Sequence, residues 1–187
     1  MAPYTPPLNE KSLIEDLQNE SKARDAFDAL IRTYGESIYW QIRKMVSNHD
    51  DANDLLQNVF LKAWKNIHNF RGDAKLSTWL FKIAVNESIN FLNHERQRMN
   101  ITDDEHDSFL LESIEADPYF DGDSLQLELQ KVISTLPEKQ RLVFNMRYFD
   151  DMKYEEISEI LGTSIGALKA SYHHAAKKIE AAISKLE

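Results

Sequence analysis

The apolar residues of this chain recur at intervals of three and four over long stretches, and this spacing restricts the fold to helices. The longest such series is Phe27, Leu30, Ile31, Tyr34, Ile38, Ile42, Met45 and Val46. An amphipathic helix has this period because 3.6 residues make one turn. Nowhere does the sequence alternate between apolar and polar residues as a half-buried strand does. The chain is therefore predicted to be all-α.

Two further helices are predicted in the N-terminal half. The apolar stripe over residues 55–67 indicates one of them, with Asp50 or Asp51 placed to cap its start. The stretch NFRGDAK then breaks the period, and the next helix is predicted to begin at Ser77 or Thr78. Three helices of this kind can close a compact bundle.

An acidic segment divides the predicted helices into two small domains. Residues 99–124 have no clear period and contain DPYFDGD, which is typical of a linker. Beyond it, a helix is predicted up to Pro137, and this proline suits the first turn of the next helix. The predicted organisation is an N-terminal arm (1–22), a first domain (23–98), the acidic linker (99–124) and a second domain (125–187).

The net charge of −9 argues at first against a nucleic-acid partner, because phosphate binding needs clustered Lys and Arg. Between Arg98 and Lys131, however, the charged residues are all acidic. They are Asp103, Asp104, Glu105, Asp107, Glu112, Glu115, Asp117, Asp121, Asp123 and Glu128. Removing these ten from the 31 acidic residues of the chain leaves 21 against 22 basic ones. Local patches outside the linker can therefore be positive.

Several classes of protein are excluded by composition. No segment approaches the roughly 18 consecutive apolar residues of a membrane span, and the start lacks the basic and apolar regions of a secretory signal. The chain has no cysteine, and its six histidines lie outside metal-motif spacing. We expect a cytoplasmic protein that is not an enzyme, with no catalytic residue, metal, cofactor or small-molecule substrate.

The segment YEEISEILGTSIGALKASYHHAAKKI predicts a helix-turn-helix. Gly162 falls where the turn needs a left-handed backbone, Thr163 or Ser164 can cap the second helix, and Ile157 and Leu168 face the core. The second helix then presents on its outer face polar groups that can reach phosphates and base edges, namely Lys169, Ser171, Tyr172, His173, His174 and Lys177. The alternative is an ordinary helical hairpin with a polar face, and Gly162 favours the DNA-binding motif.

Two blocks of the chain resemble two domains of one protein family, and they occur in the same order as in that family. DDANDLLQNVFLKAWKNI followed by FRGDAKLSTWLFKIAVNESINFL resembles domain 2 of the extracytoplasmic-function sigma factors. LPEKQRLVFNMRYFDDMKYEEISEILGTSIGALKASYHHAAKKI is similar to their domain 4. The resemblance implies a sigma factor that binds core RNA polymerase and directs promoter-specific initiation. Its domain 2 would recognise and melt the minus-10 element, and its domain 4 would read the minus-35 element.

The resemblance also implies site residues. A helix face would bind the clamp helices of the largest polymerase subunit through Asp51, Asp54, Gln57, Asn58 and Leu61. The loop and helix from Phe70 onward would bind minus-10 DNA through Phe70, Arg71, Lys75, Leu76, Lys82, Asn86 and Asn90, with Asn86 at a base edge. A solvated outer face is the alternative for both sets. Trp64 and Trp79 are interpreted as core residues rather than stacking platforms.

The implied partners are core RNA polymerase, through its clamp helices and flap, promoter DNA and an anti-sigma factor. The acidic linker would discourage DNA binding by the free protein. A stand-alone helix-turn-helix regulator is the alternative function, and such a protein would bind duplex DNA without polymerase. An enzyme acting on nucleic acid is disfavoured, because the sequence lacks the metal, phosphate-loop or His/Cys constellations of that chemistry.

Overall fold

A computed structural model describes residues 10–46, 48–99 and 124–184. Within these ranges the backbone forms eight α-helices and one 3₁₀ turn, and no β-strand occurs. They are α1 (Glu10–Leu17), α2 (Ala23–Val46), α3 (His49–Asn66), the 3₁₀ turn (Ile67–Asn69), α4 (Leu76–Met99), α5 (Ser124–Ser134), α6 (Glu138–Tyr148), α7 (Tyr154–Leu161) and α8 (Ile165–Ile183). The all-α prediction is confirmed. The acidic linker lies almost entirely outside the described residues.

Helices α1 to α4 surround one apolar core in the N-terminal half. Ile38 and Ile42 of α2 are fully buried in one cluster with Val59 of α3 and Leu80 of α4. Each of these helices places its apolar stripe inward, which is the arrangement that the spacing in the sequence predicts. Burial of such side chains is the main favourable term in folding.

The segment expected to be an N-terminal arm contributes a helix to this core. Leu13 and Leu17 of α1 are buried in the same cluster as α2. The polypeptide turns directly after α1, where the Asn19 Oδ1 atom accepts a hydrogen bond from the Ser21 backbone N–H at 3.0 Å. The described part of residues 1–22 is therefore integral to the first helical bundle.

Helix α3 begins earlier than its predicted cap allows. Asn48, rather than Asp50 or Asp51, is the N-cap. The Asn48 Oδ1 atom accepts hydrogen bonds from the backbone N–H groups of Asp50, at 2.8 Å, and Asp51, at 3.2 Å. The two aspartates instead lie in the first turn, where a negative charge is favoured by the positive end of the helix dipole.

Helix α4 also begins earlier than predicted, at Leu76 instead of Ser77 or Thr78. Leu76 is fully buried, and Thr78 is buried within the helix instead of standing at its end. The first backbone N–H of α4, that of Leu76, donates to the Glu10 Oε1 atom at 2.8 Å. The acceptor at this helix start therefore comes from α1.

Helices α5 to α8 form the C-terminal half. Ile133, Leu136, Phe144, Ala175 and Ile179 make a second apolar cluster. The proline before α6 stands at the N-cap position, one residue ahead of the first turn in which it was predicted. A proline is tolerated at such a helix start because the missing N–H has no intrahelical partner there.

The two halves pack against each other, with α4 next to α7 and α2 next to α6. Val143 and Met146 of α6 and Ile157 of α7 belong to the same buried cluster as the N-terminal core. The sequence predicted two domains, and the structure adds an apolar contact between them.

Ion pairs join the same two halves. Lys44 contacts Asp150 at 2.5 Å, Lys75 contacts Glu156 at 2.6 Å and Arg96 contacts Glu138 at 3.3 Å. Burial raises the pKa of Asp150 above its ordinary value, although the Lys44 ammonium partly offsets this effect. At Glu156 the hydrogen bond from Lys75 lowers the pKa of the carboxyl group.

Buried polar side chains accompany these pairs. The Asn145 Nδ2 atom donates to the Lys44 carbonyl oxygen at 3.5 Å, and Asn145 Oδ1 has no partner among the described residues. One turn before Lys44, both polar atoms of the Gln41 side chain are buried without a hydrogen bond in the described chain. A buried polar group without a partner costs about 1–3 kcal/mol, so these side chains stabilise the packing less than apolar side chains of similar size would.

Candidate nucleic-acid and polymerase interfaces

A recess opens between the end of α3, the 3₁₀ turn and the first turns of α4. Its volume is about 340 Å³. It is lined by Lys62, Asn66, Asn69, Trp79, Ile83, Asn86 and Glu87. The walls therefore combine one aromatic ring, three amides and the Lys62–Glu87 ion pair, whose Nζ and Oε1 atoms are 2.5 Å apart. We call this cavity the α3–α4 recess.

Asn86 is the residue of the predicted minus-10 set that lines the recess. It is exposed, and its amide makes no hydrogen bond to another described residue. Lys82 and Asn90, one turn away on either side, are exposed on the same helix. The predicted polar stripe of α4 therefore exists, and one of its members faces a cavity.

Phe70 and Leu76 lie in the core instead of lining the recess. Both side chains are buried, and the Phe70 ring packs against the Trp79 ring with centroids 5.2 Å apart. These two residues were expected to form pocket wall and to contact phosphate. The ring of Trp79 is half-buried and forms part of the wall itself, although core packing was favoured for it.

Arg71 and Lys75 lie in the turn before α4 and are exposed. Gly72 between them has φ +76°, a left-handed conformation that glycine adopts without strain. The Lys75 ammonium donates a hydrogen bond to the carboxylate of Glu156 in α7, and this bond raises the pKa of Lys75. Lys75 is therefore engaged by the C-terminal half in this arrangement.

Sequence reasoning missed the α3 side of the recess. Lys62, Asn66 and Asn69 follow each other at intervals of four and three, which is the spacing of one helix face. That regularity could have identified them, but the polar face of α3 was assigned to polymerase binding. Lys62 and Asn66 lie in the last turns of α3 and Asn69 in the following 3₁₀ turn, so the recess residues come after the predicted polymerase-binding residues along the chain.

The predicted polymerase-binding face occupies the earlier turns of α3. Asp54, Gln57, Asn58 and Leu61 are exposed, and Leu61 keeps 56% of its surface accessible. Asp51 is half-buried. Burial raises the pKa of Asp51, and the neighbouring carboxylates of Glu95, Asp54 and Asp50 add to this effect. This end of α3 therefore carries concentrated negative charge beside an exposed apolar side chain.

The α7–α8 pair forms the predicted helix-turn-helix. Gly162 ends α7 with φ +61° and ψ +27°, and its N–H donates to the Ser158 carbonyl oxygen at 2.9 Å. Of the two predicted caps, Ser164 is the one used, because its side chain accepts from the Ala167 N–H. Ile157 and Leu168 are fully buried, as predicted.

Four of the six residues predicted on the second helix are exposed. They are Lys169, His173, His174 and Lys177. Ser171 is half-buried. The ring of Tyr172 stacks on that of Phe144, with centroids 5.7 Å apart and planes at 14°. Since Tyr172 packs against both apolar clusters, its ring is not free to reach a base.

A basic cluster around Tyr154 was also missed. The Arg147 guanidinium and the Lys169 ammonium each lie 5.7 Å from the centre of the Tyr154 ring. Cations are attracted to aromatic faces by the ring quadrupole, so these contacts help to orient Lys169 at the start of α8. Sequence gave no signal because the cluster joins α6, α7 and α8.

Comparisons with known proteins address both halves of the chain. Residues 30–98 match the family model of Sigma-70 region 2, and residues 126–179 match that of Sigma-70, region 4. The chain is 31% identical over 158 residues to the ECF RNA polymerase sigma factor SigW of Bacillus subtilis (strain 168), covering 80% of this chain and 84% of that protein. The chain belongs to the extracytoplasmic-function sigma factors.

Other relatives of this sigma factor match along almost its whole length. The RNA polymerase sigma-H factor of Pseudomonas aeruginosa is 29% identical over 185 residues, with 95% of each chain covered. The ECF RNA polymerase sigma-E factor of Escherichia coli (strain K12) is 27% identical over 194 residues, with 96% of each covered.

Two solved structures share the fold. The sigma factor RpoE of Bartonella quintana, in complex with the anti-sigma factor NepR, has a TM-score of 0.68 at 20% identity and covers 84% of this chain and 96% of that chain. CnrH in complex with the cytosolic domain of CnrY has a TM-score of 0.68 at 19% identity and covers 94% and 97%.

The predicted family and function are therefore confirmed, and the chain is a sigma factor of RNA polymerase. The alternative of a stand-alone regulator is set aside. Sigma factors are initiation factors without catalysis of their own, which is consistent with the expectation that the chain is not an enzyme.

Among the described helices, none is long and apolar enough to cross a membrane. Within the same residues no cluster of three or more metal-ligating side chains occurs.

Proposed function

We propose that the N-terminal half captures the opened minus-10 strand in the α3–α4 recess. The observation that carries the proposal is the composition of this cavity. A base that has left the stack can lie against the Trp79 ring, while the amide of Asn86 bonds its exposed edge. Such contacts offset the few kcal/mol of unstacking. Arg71 and Lys82 are exposed, and in this proposal their positive charges contact the neighbouring phosphates.

In the same proposal α8 reads the minus-35 element in the major groove. Lys169, His173 and Lys177 are exposed at intervals of four, so they lie along one face. Gly166 and Ala170 are small and exposed at the start of the helix, which lets the backbone approach the groove closely. The positive charges contribute affinity, and the imidazoles can contact base edges.

The earlier turns of α3 serve as the polymerase-binding face in this proposal. The raised pKa of Asp51 reflects burial and repulsion among carboxylates, and the positive charges of a basic partner surface would stabilise the charged carboxylate against both. Leu61 adds an apolar contact. Since the last turn of α3 lines the recess, docking this helix on the polymerase clamp would place the recess beside the promoter. The sigma factor would then work in the cytoplasm with its polymerase.

Reading both promoter elements requires the two halves to separate. The minus-35 and minus-10 elements lie roughly 25 base pairs apart, which is roughly 85 Å at 3.4 Å per pair. The 24-residue helices α2 and α4 are each only about 36 Å long, and the halves they join are in contact. The chain between residues 99 and 124 can reach roughly 80 Å when extended.

Because one solved relative is bound to an anti-sigma factor, we include such a protein among the proposed partners.

The deciding experiment adds the protein to core RNA polymerase on genomic DNA and sequences the 5′ ends of the transcripts. We expect initiation at a defined set of promoters. With the strongest of these, Asn86→Ala should reduce open-complex formation about 5- to 30-fold, because one or two hydrogen bonds to a base are lost.

Asn93→Ala is the matched control. Asn93 is exposed on the same helix but does not line the recess, so its replacement should leave the open complex unchanged. Equal effects of the two substitutions would remove the recess from the proposal. Initiation no better than with core enzyme alone would contradict the proposal as a whole.

A further inference from the structure

Helix α1 and the residue after it are bonded to the segment that builds the α3–α4 recess. The Gln18 Nε2 atom donates to the carbonyl oxygens of Ile67, at 3.2 Å, and Phe70, at 3.0 Å. At the other end of the segment, Glu10 accepts from the Leu76 N–H at 2.8 Å. Residues 67–76 are therefore held at both ends by one short helix.

Two of these backbone groups, the Phe70 C=O and the Leu76 N–H, lie at the edges of helical segments. The third, the Ile67 C=O, already accepts from the Phe70 N–H at 3.1 Å and gains a second donor from Gln18. Ile67 begins the 3₁₀ turn, Phe70 follows it, and Leu76 begins α4. Terminal N–H and C=O groups lack intrahelical partners and otherwise depend on side chains or water. The three bonds join side chains of Glu10 and Gln18 to backbone atoms only, so they define the path of the segment whatever side chains it carries.

The recess depends on that path. Asn69 belongs to the 3₁₀ turn and lines the cavity, while Phe70 supports the ring of Trp79. A shift of the segment would move the Asn69 amide and loosen the aromatic wall together. A site whose walls are already in place loses less conformational freedom when it captures a strand, and it therefore binds more tightly.

We propose that α1 is a positioning element for minus-10 recognition, with Gln18 as its principal positioning residue and Glu10 as the second. This inference rests on the proposed function of the recess. The apolar contacts of Leu13 and Leu17 attach α1 to the bundle. Gln18 is exposed and contributes no core packing. The role assigned to its amide is to fix the segment, separately from holding the fold together.

The test replaces Gln18 in the full-length protein, reconstituted with core polymerase. Gln18→Met keeps the length of the side chain but removes both donors. Gln18→Lys restores a donor group, an ammonium that can donate hydrogen bonds to both carbonyl oxygens. Ser12→Met is the matched control, because Ser12 is exposed on α1 and the same methionine is introduced there. The probe is a fork-junction DNA with the minus-10 strand of the strongest mapped promoter left single-stranded.

We expect Gln18→Met to weaken binding of this probe about five- to tenfold, Gln18→Lys to recover most of the affinity, and Ser12→Met to change nothing. Affinity for core polymerase should stay at the wild-type value in all three. Hydrogen exchange of the amides in residues 67–76 should accelerate only in Gln18→Met.

Two results would overturn the inference. One is wild-type probe affinity for Gln18→Met while Asn86→Ala still weakens binding, which would leave the proposed function standing. The other is a parallel loss of core affinity and probe affinity in Gln18→Met, which would indicate a purely structural role. If Asn86→Ala also binds the probe normally, the proposed function of the recess itself fails.

Discussion

Gly162 shows how much a single residue contributes to the DNA-reading half. Its φ of +61° places it in the left-handed region, which a side chain at Cβ disfavours. No other atom lies near a Cβ built at this position, so the requirement comes from the backbone alone. The turn between α7 and α8 therefore depends on a residue without a side chain.

Gly162→Ala should destabilise the protein by about 1–2 kcal/mol because alanine is strained in the left-handed region. Urea unfolding measures the change. Gly166→Ala is the control, since Gly166 lies inside α8 with open space around a Cβ. There alanine should be neutral or stabilise by up to about 1 kcal/mol. Similar losses at both positions would show that the strain argument is wrong.

At the scale of the elements, helix α3 has two roles in the proposed function, and it depends on its cap. Asn48 satisfies two backbone N–H groups at its start, its middle turns carry the proposed polymerase face, and its last turn lines the recess. Fraying of the first turn would release the carboxylates at positions 50 and 51 from their places near the helix end. The cap thus affects both the stability and the charge pattern of one surface.

Asn48→Ala should lower the free energy of unfolding by about 1 kcal/mol, because two N–H groups lose their acceptor. Asn48→Asp should retain most of the stability, since a carboxylate also accepts these bonds and is favoured by the helix dipole. Circular dichroism during urea unfolding reports both. An Asn48→Ala variant as stable as the wild type would mean that water replaces the cap without loss.

The elements also show how far sequence reasoning reaches. Helices α2 to α6, the helix-turn-helix and Gly162 were predicted because each leaves a local signal, either a period or a residue with special backbone freedom, whereas the segment that forms α1 was expected to be an arm. The role of α1 leaves no such signal, since Gln18 bonds backbone carbonyls 49 and 52 residues away. The cap at Asn48 was missed because apolar periodicity begins only at Leu55, well inside the helix.

At the scale of the whole molecule, the contact between the halves contains two ion pairs whose carboxyl groups have pKa values shifted in opposite directions. The pKa of Glu156 is lowered, so its charged form favours the folded arrangement. This stabilisation is fully present when the pH is above the ordinary glutamate pKa of 4.5. It is lost as the pH falls through the lower pKa that Glu156 has in the folded protein. The pKa of Asp150 is raised by burial, so its charge opposes folding and the protein gains stability as the pH falls through that value. The sequence could not predict this balance, because the partners of each pair are far apart along the chain.

Glu156→Gln should therefore raise the ratio of separated to packed halves about two- to fivefold, as expected for loss of an ion pair whose lysine is exposed. The chain has no cysteine, so spin labels at Lys65→Cys and Lys178→Cys report the distance between the halves without background. Asp150→Asn is the control and should not increase separation. Equal separation of the halves in both variants would contradict the conclusion that the charge of Glu156 favours the packed arrangement and that of Asp150 opposes it.

The bonds between Gln18 and the recess segment also set an order of events during synthesis. Gln18 leaves the ribosome 52 residues before Phe70. At a translation rate of about 5–20 residues per second, that interval lasts roughly 3–10 seconds. Throughout it α1 exists without the carbonyl groups that it will bind, and its two leucines lack most of their later neighbours. The nascent chain thus exposes a short amphipathic segment to chaperones and proteases until the recess has been translated.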